Sequence, residues 1–196
     1  MMFNGKSPFQ KVQIIESCFG KTLVLDSKTQ SAEFDEHIYH ESLVHPALLT
    51  HPEPKTVFIG GGGEYATARE VLRHPSVERC VMVDIDEKVC KICEEELPEW
   101  GNGCTKDPRL EVVSSRHGAS FFAPPRDLVL TPPRLSSALQ HYDDAYGFLE
   151  RDTRSYDVVI MDIADPIEAG PGIALCMLLH FYFVHLAVSH PLSRRY

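Results

Sequence analysis

Residues 56–72 of the chain read TVFIGGGGEYATAREVL. The apolar and β-branched start of this stretch predicts a buried strand, and the four glycines predict a sharp turn. The Ala/Arg/Glu/Leu-rich end predicts a helix that stops at Pro75. A strand, a glycine turn and a helix in this order are typical of the opening of a nucleotide-binding βαβ unit. The stretch therefore predicts an α/β protein.

The glycine turn contains an acidic residue. Its spacing, Gly61-x-Gly63-x-x-Ala66, formally matches the dinucleotide-binding fingerprint. However, Glu64 stands inside the turn, where a pyrophosphate needs backbone N–H groups and no anion. We therefore expect a ligand that carries positive charge. A glycine turn needed only for tight packing is the alternative.

Length and composition limit the number of domains and the class of protein. The 196 residues suffice for one full domain, or for a small domain joined to a medium one. The formal net charge of −9 argues against a nucleic-acid-binding protein and fits a site that attracts cations. The six cysteines are scattered, and the start of the chain does not resemble a signal peptide. We therefore expect reduced thiols and a cytoplasmic location.

The chain before the glycine turn predicts a small β-hairpin domain at residues 1–34. Two short strands at 11–16 and 22–26 flank a glycine turn, and a third strand is expected at 30–33. A helix with an acidic start is expected at 34–49.

The chain after the glycine turn alternates between strands and helices. Such alternation predicts a doubly wound parallel sheet, in which ligands bind at the carboxyl ends of the strands. Glu64, Asp84 and Asp162 all fall at such ends. Asp84 stands where an acid would bind the two hydroxyls of an adenosine ribose, although a solvated strand end is the alternative. The further strands are predicted at 80–86, 110–113 and 155–162.

Two segments interrupt this alternation. Residues 114–142 contain two Pro-Pro pairs and little periodicity, and they are too long for an ordinary connection. We interpret them as an insertion into an α/β domain at 35–172. Residues 173–196 form an apolar tail with two histidines inside its longest apolar run. We interpret this tail as a replaced ending rather than as a membrane span.

A pair of acids follows the last predicted strand. Asp162 and Asp165 are three residues apart, in a loop that contains Pro166 and Pro171. Such a pair could hold a metal, bind an amine or remove a proton, and a purely structural Asx turn is the alternative. The histidines near Glu41 are unevenly spaced for a metal site.

These motifs together resemble one family. In order and spacing they are similar to those of the polyamine aminopropyltransferases, and Glu64 together with the run DIADPIEAGP at 162–171 resembles the thermospermine synthase branch. The resemblance covers roughly residues 8–113 and 143–172. The motifs are Gln30 to Glu41 with Tyr39-His40-Glu41, the glycine turn, Asp84-Ile85-Asp86, Asp144-Ala145 and Asp162-x-x-Asp165-Pro166.

The resemblance implies a fold, a reaction and its residues. The fold would be a Rossmann-like sheet of the S-adenosylmethionine methyltransferase type, incomplete at the carboxyl end. An aminopropyl group would pass from decarboxylated S-adenosylmethionine to a polyamine, releasing methylthioadenosine, without cofactor or metal. Asp162 would be the catalytic base. The donor would contact Gln30, His40, Gly61, Gly63, Glu64, Asp84, Asp144 and Ala145. The polyamine would contact Tyr39, Asp165 and Pro171.

The resemblance also leaves alternatives open. Family members usually have a longer N-terminal β-domain and continue well past Pro171, and they usually have a small glycine where Tyr65 stands. The partners implied are small molecules and a second copy in a homodimer, with no nucleic acid and no membrane. A truncated, non-catalytic relative and an S-adenosylmethionine-dependent methyltransferase are the competing interpretations.

Overall fold

The computed structural model describes residues 1–114 and 145–163, which build two four-stranded sheets. The first is antiparallel, and its strands are β1 (Phe3–Lys6), β2 (Lys11–Ser17), β3 (Gly20–Leu25) and β4 (Lys28–Ala32), paired in that order. The predicted hairpin strands are present. A further strand, β1, pairs with β2 and is not predicted by the sequence, because four residues that include a glycine carry little strand signal.

The second sheet belongs to a unit whose elements are, in chain order, α1 (Glu36–Thr50), β5 (Thr56–Gly61), α2 (Ala66–Leu72), β6 (Arg79–Asp84), α3 (Glu87–Glu96), α4 (Pro98–Gly101), a 3-10 turn (Cys104–Lys106), β7 (Leu110–Ser114), α5 (Ala145–Arg151) and β8 (Val158–Asp162). This sheet is parallel, with its strands in the order β7-β6-β5-β8. The predicted Rossmann-like α/β fold is confirmed, and the strand order reverses between β5 and β8, which is where such sheets bind ligands.

Strand β5 is the centre of the parallel sheet. Val57, Phe58 and Ile59 are fully buried, because apolar layers cover both faces of the strand. Val57 and Ile59 pack into the cluster that includes α1 and α2, whereas Phe58 packs towards α5 on the opposite face. The unbroken apolar run that predicted this strand therefore reflects burial on both sides.

The antiparallel sheet packs against the helices of the α/β unit. Val12 and Ile14 share an apolar cluster with Val89 and Trp100 of α3 and α4. A polar contact adds to it, since the Gln10 side-chain amide donates to Asp86 Oδ2 at 3.1 Å. This packing fixes β4, and with it the start of α1, beside the carboxyl ends of the parallel strands.

Several sequence predictions concern residues beyond those that the structure describes. They include the tail at 173–196 and all of the insertion at 114–142 except Ser114. The domain boundaries at residues 34 and 172 stay predictions. Across residues 1–114 and 145–163, no helix is both long enough and apolar enough to cross a bilayer.

Candidate active site

The glycine turn brings the backbone close to two acids. The Gly62 N–H donates to the backbone oxygen of Asp162 at 3.0 Å, which ties the turn after β5 to the end of β8. A Cβ on Gly61 would lie 2.0 Å from that same oxygen, and a Cβ on Gly63 would lie 2.9 Å from Asp84 Oδ2. The turn therefore needs glycine because the strand ends on both sides of it approach so closely.

Gly61→Ala is expected to lower the free energy of unfolding by about 3 kcal/mol, since the new methyl clashes with backbone and Gly61 has a φ of +86°. The matched control is Gly103→Ala, which has a similar φ of +78° but open space around the new methyl. The control should lose only about 1 kcal/mol. Urea denaturation measures both, and equal losses would contradict the close approach.

Glu64 is held at the turn by two hydrogen-bonding groups. Its Oε1 lies 3.3 Å from His40 Nε2 and accepts a hydrogen bond from Ser31 Oγ at 3.2 Å. Burial opposes the charged form, but the hydrogen bond and charge of His40 outweigh it, so the pKa of Glu64 lies below its ordinary value. Glu64 is therefore a carboxylate at neutral pH.

His40 connects the turn to a second acid. The fully buried ring places Nδ1 2.9 Å from Glu36 Oε2, and Arg69 forms two hydrogen bonds with the same carboxylate at 3.1 and 2.9 Å. Burial alone would lower the pKa of His40, but hydrogen bonds to Glu36 and Glu64 raise it to about 10. His40 is therefore an imidazolium between two carboxylates, and each ring nitrogen contacts one of them.

Asp162 ends β8 beside this group. Its Oδ1 accepts a hydrogen bond from the Tyr39 hydroxyl at 2.9 Å, and its Oδ2 accepts one from Thr67. Burial, and then the charge of Glu64, raise the pKa of Asp162 to about 6. One nitrogen of His40 and one oxygen each of Glu64 and Asp162 lie within 4.8 Å of one another. Asp162 can therefore accept a proton near neutral pH.

Asp84 ends β6 on the other side of the turn. Burial raises the pKa of Asp84 to about 6, although the Asp86 N–H donates to its Oδ1 at 2.8 Å. Asp86 itself caps α3, since its Oδ1 accepts a hydrogen bond from the Val89 N–H. The carboxyl ends of β5, β6 and β8 therefore each carry or adjoin an acid, as the sequence predicted.

A cavity of about 410 Å³ opens beside Tyr39. Gln30 lines it, and its side-chain amide donates to the backbone oxygen of Lys28 at 3.3 Å. Tyr39 is half exposed, and its ring meets that of His40 edge-on. The cavity is lined by Gln30, Ser31, Asp35, Glu36, Ile38, Tyr39 and Ser42.

The structure brings most of the predicted site residues together at the carboxyl edge of the parallel sheet. Ala145 is buried at the start of α5, where it packs beneath Gly60 of β5. Asp144, Asp165 and Pro171 lie outside the described residues. The predicted residues that meet at this edge are Tyr39, His40, Gly61, Gly63, Glu64, Asp84 and Asp162, with Gln30 at the neighbouring cavity.

Sequence reasoning missed several supporting residues. Thr67 lies three residues after Glu64, where the sequence pattern indicates only a helix, yet its side chain contacts Asp162. Glu36 lies four residues before His40, a helical spacing that could have revealed the pair. Nothing local pointed to Arg69, whose contact with Glu36 joins two helices.

Tyr65 does not stand free in the turn. It adopts a φ of +69°, and the residue is only 6% exposed. Tyr65 lies against Gly101, since a methyl group on Gly101 would be 3.1 Å from Tyr65 Cβ. Tyr65 also belongs to the same apolar cluster as Cys104. The core therefore takes up the bulk of the ring.

The chain matches two family models. One is described as a spermine/spermidine synthase domain and matches residues 36–125, which extends into the predicted insertion. The other is described as a spermidine synthase tetramerisation domain and matches residues 1–33.

Curated relatives and solved structures agree with these matches. A polyamine aminopropyltransferase of Aeropyrum pernix is 45% identical over 177 residues, which are 89% of this chain and 48% of the relative. Thermospermine synthase ACAULIS5 of Arabidopsis thaliana is 40% identical over 173 residues, which are 87% and 42% of the two chains. The crystal structure of spermidine synthase from Thermotoga maritima is 30% identical with a TM-score of 0.65, covering 82% of this chain and 46% of that one.

A spermidine synthase structure in complex with the transition-state analogue AdoDATO matches equally well. The chain spans about half the length of the curated relatives it matches. Together, the two models, the relatives and the shared fold show that the chain belongs to the spermine/spermidine synthase family of polyamine aminopropyltransferases.

Proposed function

We propose that the chain acts in polyamine biosynthesis by transferring an aminopropyl group from decarboxylated S-adenosylmethionine to a polyamine, releasing methylthioadenosine. The observation that carries this proposal is the group of acids around the glycine turn. Glu64, Asp84 and Asp162 face a turn that in dinucleotide-binding proteins holds an anion. The proposed donor has a sulfonium and an ammonium group and no carboxylate.

Donor binding would use the charges at the turn. Glu64 would attract the ammonium of the aminopropyl arm, and Asp84 would accept hydrogen bonds from the ribose hydroxyls. His40 would act by holding Glu64 in place, since both of its ring nitrogens already contact carboxylates. Gln30 at the cavity would complete the contacts to the arm. Asp144 and Ala145 would adjoin the adenine.

The transfer needs a neutral amine. An alkylammonium titrates near ~10.4 and an ordinary Asp near ~3.9, so the site must bring the two values closer. Asp162 closes about a third of that gap, because its pKa is already raised from ~3.9 to about 6. It would remove a proton from the acceptor ammonium, and the amine nitrogen would attack the carbon next to the sulfonium as the carbon–sulfur bond breaks.

The acceptor would lie beside Tyr39, with Asp165 and Pro171 as further contacts. Tyr39 supports this assignment because its hydroxyl contacts Asp162 and its ring lines the cavity. A thermospermine synthase-like enzyme would take spermidine, and a spermidine synthase-like enzyme would take putrescine.

The test incubates the purified chain with decarboxylated S-adenosylmethionine and either putrescine or spermidine, and follows methylthioadenosine. We expect release that depends on the acceptor. S-adenosylmethionine in place of the donor should give no methylated product. If well-folded protein releases no methylthioadenosine with either acceptor, the enzymatic proposal is wrong and a non-catalytic relative is favoured. Methyl transfer would instead identify a methyltransferase.

We also propose that the chain associates with itself, at least as a homodimer. The match of residues 1–33 to a tetramerisation domain supports this, as do Phe19 and Phe34, whose exposed rings lie 6.2 Å apart. Phe19→Ser with Phe34→Ser should shift the chain towards monomer in sedimentation velocity. An unchanged sedimentation coefficient would place the contact elsewhere.

A cytoplasmic location is part of the proposal. Its support is chemical, because Cys80, Cys90, Cys93 and Cys104 are buried free thiols, as expected in a reducing compartment. Imaging of a fluorescently labelled chain checks this location, and fluorescence outside the cell would contradict it.

A further inference from the structure

Helices α1 and α2 each contribute a glutamate followed four residues later by a histidine. The α1 pair is Glu41 and His45, and the α2 pair is Glu70 and His74, with His74 just past the end of its helix. The two helices pack against each other. Side chains four residues apart lie on one helical face, so the two pairs can meet between the helices.

The ligand atoms of three of these residues converge. One atom each of Glu41, His45 and Glu70 lies within 4.8 Å of the others. His45 Nε2 is 3.3 Å from Glu70 Oε2. Nitrogen and oxygen ligands lie roughly 2.0–2.1 Å from a tetrahedral zinc ion, which puts them about 3.3 Å from each other. The pair already has the spacing of two zinc ligands.

Neighbouring groups hold the two ligands in orientation. The other ring nitrogen of His45, Nδ1, lies 2.9 Å from His74 Nε2, which can accept a hydrogen bond from it. The other oxygen of Glu70 accepts a hydrogen bond from Arg69 Nε at 2.7 Å. Metal-binding histidines and carboxylates typically have such supporting hydrogen bonds. Glu70 is almost fully buried, which fixes it further.

A cationic side chain already lies between the two carboxylates. Arg73 NH1 is 2.8 Å from Glu70 Oε2 and 3.6 Å from Glu41 Oε1. The Arg73 side chain is 61% exposed, so it can turn into solvent without breaking core packing. Glu41 is nearly half exposed and can move the short distance that a common ligand sphere requires.

We propose that Glu41, His45 and Glu70 bind a divalent transition-metal ion of the zinc class in place of the Arg73 guanidinium, with His74 orienting His45. Imidazole and carboxylate ligands in a tetrahedral arrangement suit Zn²⁺, and water supplies the fourth position. This site is separate from the reaction site. The ion would link the helix that carries Tyr39 and His40 to the helix that carries Thr67, and so stabilise their relative position.

The test titrates the metal-free, full chain with Zn²⁺ against a chromogenic chelator and records the visible spectrum with Co²⁺. We expect one ion per chain and the intense absorption of tetrahedral Co²⁺. His45→Gln should lower zinc affinity at least tenfold, and His74→Ala should lower it by about 10–100-fold. Arg73→Gln should raise it, because the competing cation is gone. His37→Gln, an exposed change on α1, should leave it unchanged.

Two controls make the test decisive. Circular dichroism verifies that each variant is folded, and Glu41→Gln serves as a second ligand variant at a half-exposed position. Wild-type affinity in His45→Gln, or no gain in Arg73→Gln, would overturn the proposal. A loss in Glu64→Gln as large as that in His45→Gln would also overturn it, because the ion would then lie at the other convergent group among the described residues, His40, Glu64 and Asp162.

Discussion

Asp162→Asn is expected to slow methylthioadenosine release by about a thousandfold, because a positioned general base contributes roughly 10²–10⁴ to a rate. Asparagine keeps the size of the side chain and can still accept the hydrogen bond from Tyr39, so donor binding should persist. Single-turnover release and calorimetric donor binding separate the two effects. Unchanged turnover would remove Asp162 as the base.

The same substitution should not destabilise the fold. A carboxyl whose pKa is raised to about 6 by folding contributes stability below its unfolded value of ~3.9. That contribution is lost as the pH rises through about 6, so at pH 8 the buried charge works against folding. Asp162→Asn should therefore melt at or above the wild-type temperature at pH 8. A large fall in melting temperature would mean that lost turnover reflects unfolding.

The pH dependence of turnover follows from the same group. The rate with wild-type chain should increase as the pH rises through about 6, since only deprotonated Asp162 accepts a proton. A pH–rate profile of kcat/KM measures this. A rate that stays flat from pH 5 to 8 would contradict the proposed role.

His40→Ala is expected to lower the free energy of unfolding by about 3–5 kcal/mol, the usual effect of removing one member of a buried ion pair. The loss leaves Glu36 and Glu64 without the imidazolium between them. His37→Ala, an exposed change on the same helix, is the matched control and should have little effect. Urea denaturation at pH 7 measures both.

The pH dependence of this effect has a definite sign. The pKa of His40 is raised to about 10 in the folded chain, so its contribution is complete below the unfolded value of ~6.5 and is lost as the pH rises through about 10. The stability gap between wild type and His40→Ala should therefore shrink between pH 7 and pH 10.5. A gap that stays constant over this interval would show that His40 acts by packing alone.

The ends of the parallel strands could be predicted from the sequence. Apolar runs marked β5, β6 and β8, and parallel strands place their carboxyl ends at one edge, so Glu64, Asp84 and Asp162 had to converge. The glycines were also informative, since a close backbone approach and a positive φ both favour glycine at the turn. The sequence therefore predicts the acids at the strand ends, because strand direction alone determines where they lie.

The supporting contacts could not be predicted in the same way. Arg69 reaches Glu36 across 33 residues of sequence, and Thr67 reaches Asp162 across 95. Such contacts depend on how α1, α2 and β8 pack, which no local pattern encodes. Tyr65 shows the same limit, because its burial beside Gly101 depends on α4.

The central claim is that the acidic glycine turn selects a cationic donor without a carboxylate. The most direct measurement is a calorimetric titration of the chain, which gives the dissociation constants of decarboxylated S-adenosylmethionine and of S-adenosylmethionine. We predict at least ~10-fold tighter binding of the decarboxylated form, because like charges facing each other across a contact are strongly unfavourable. Glu64→Gln should narrow that difference. Equal or tighter binding of S-adenosylmethionine by wild-type chain would contradict the claim.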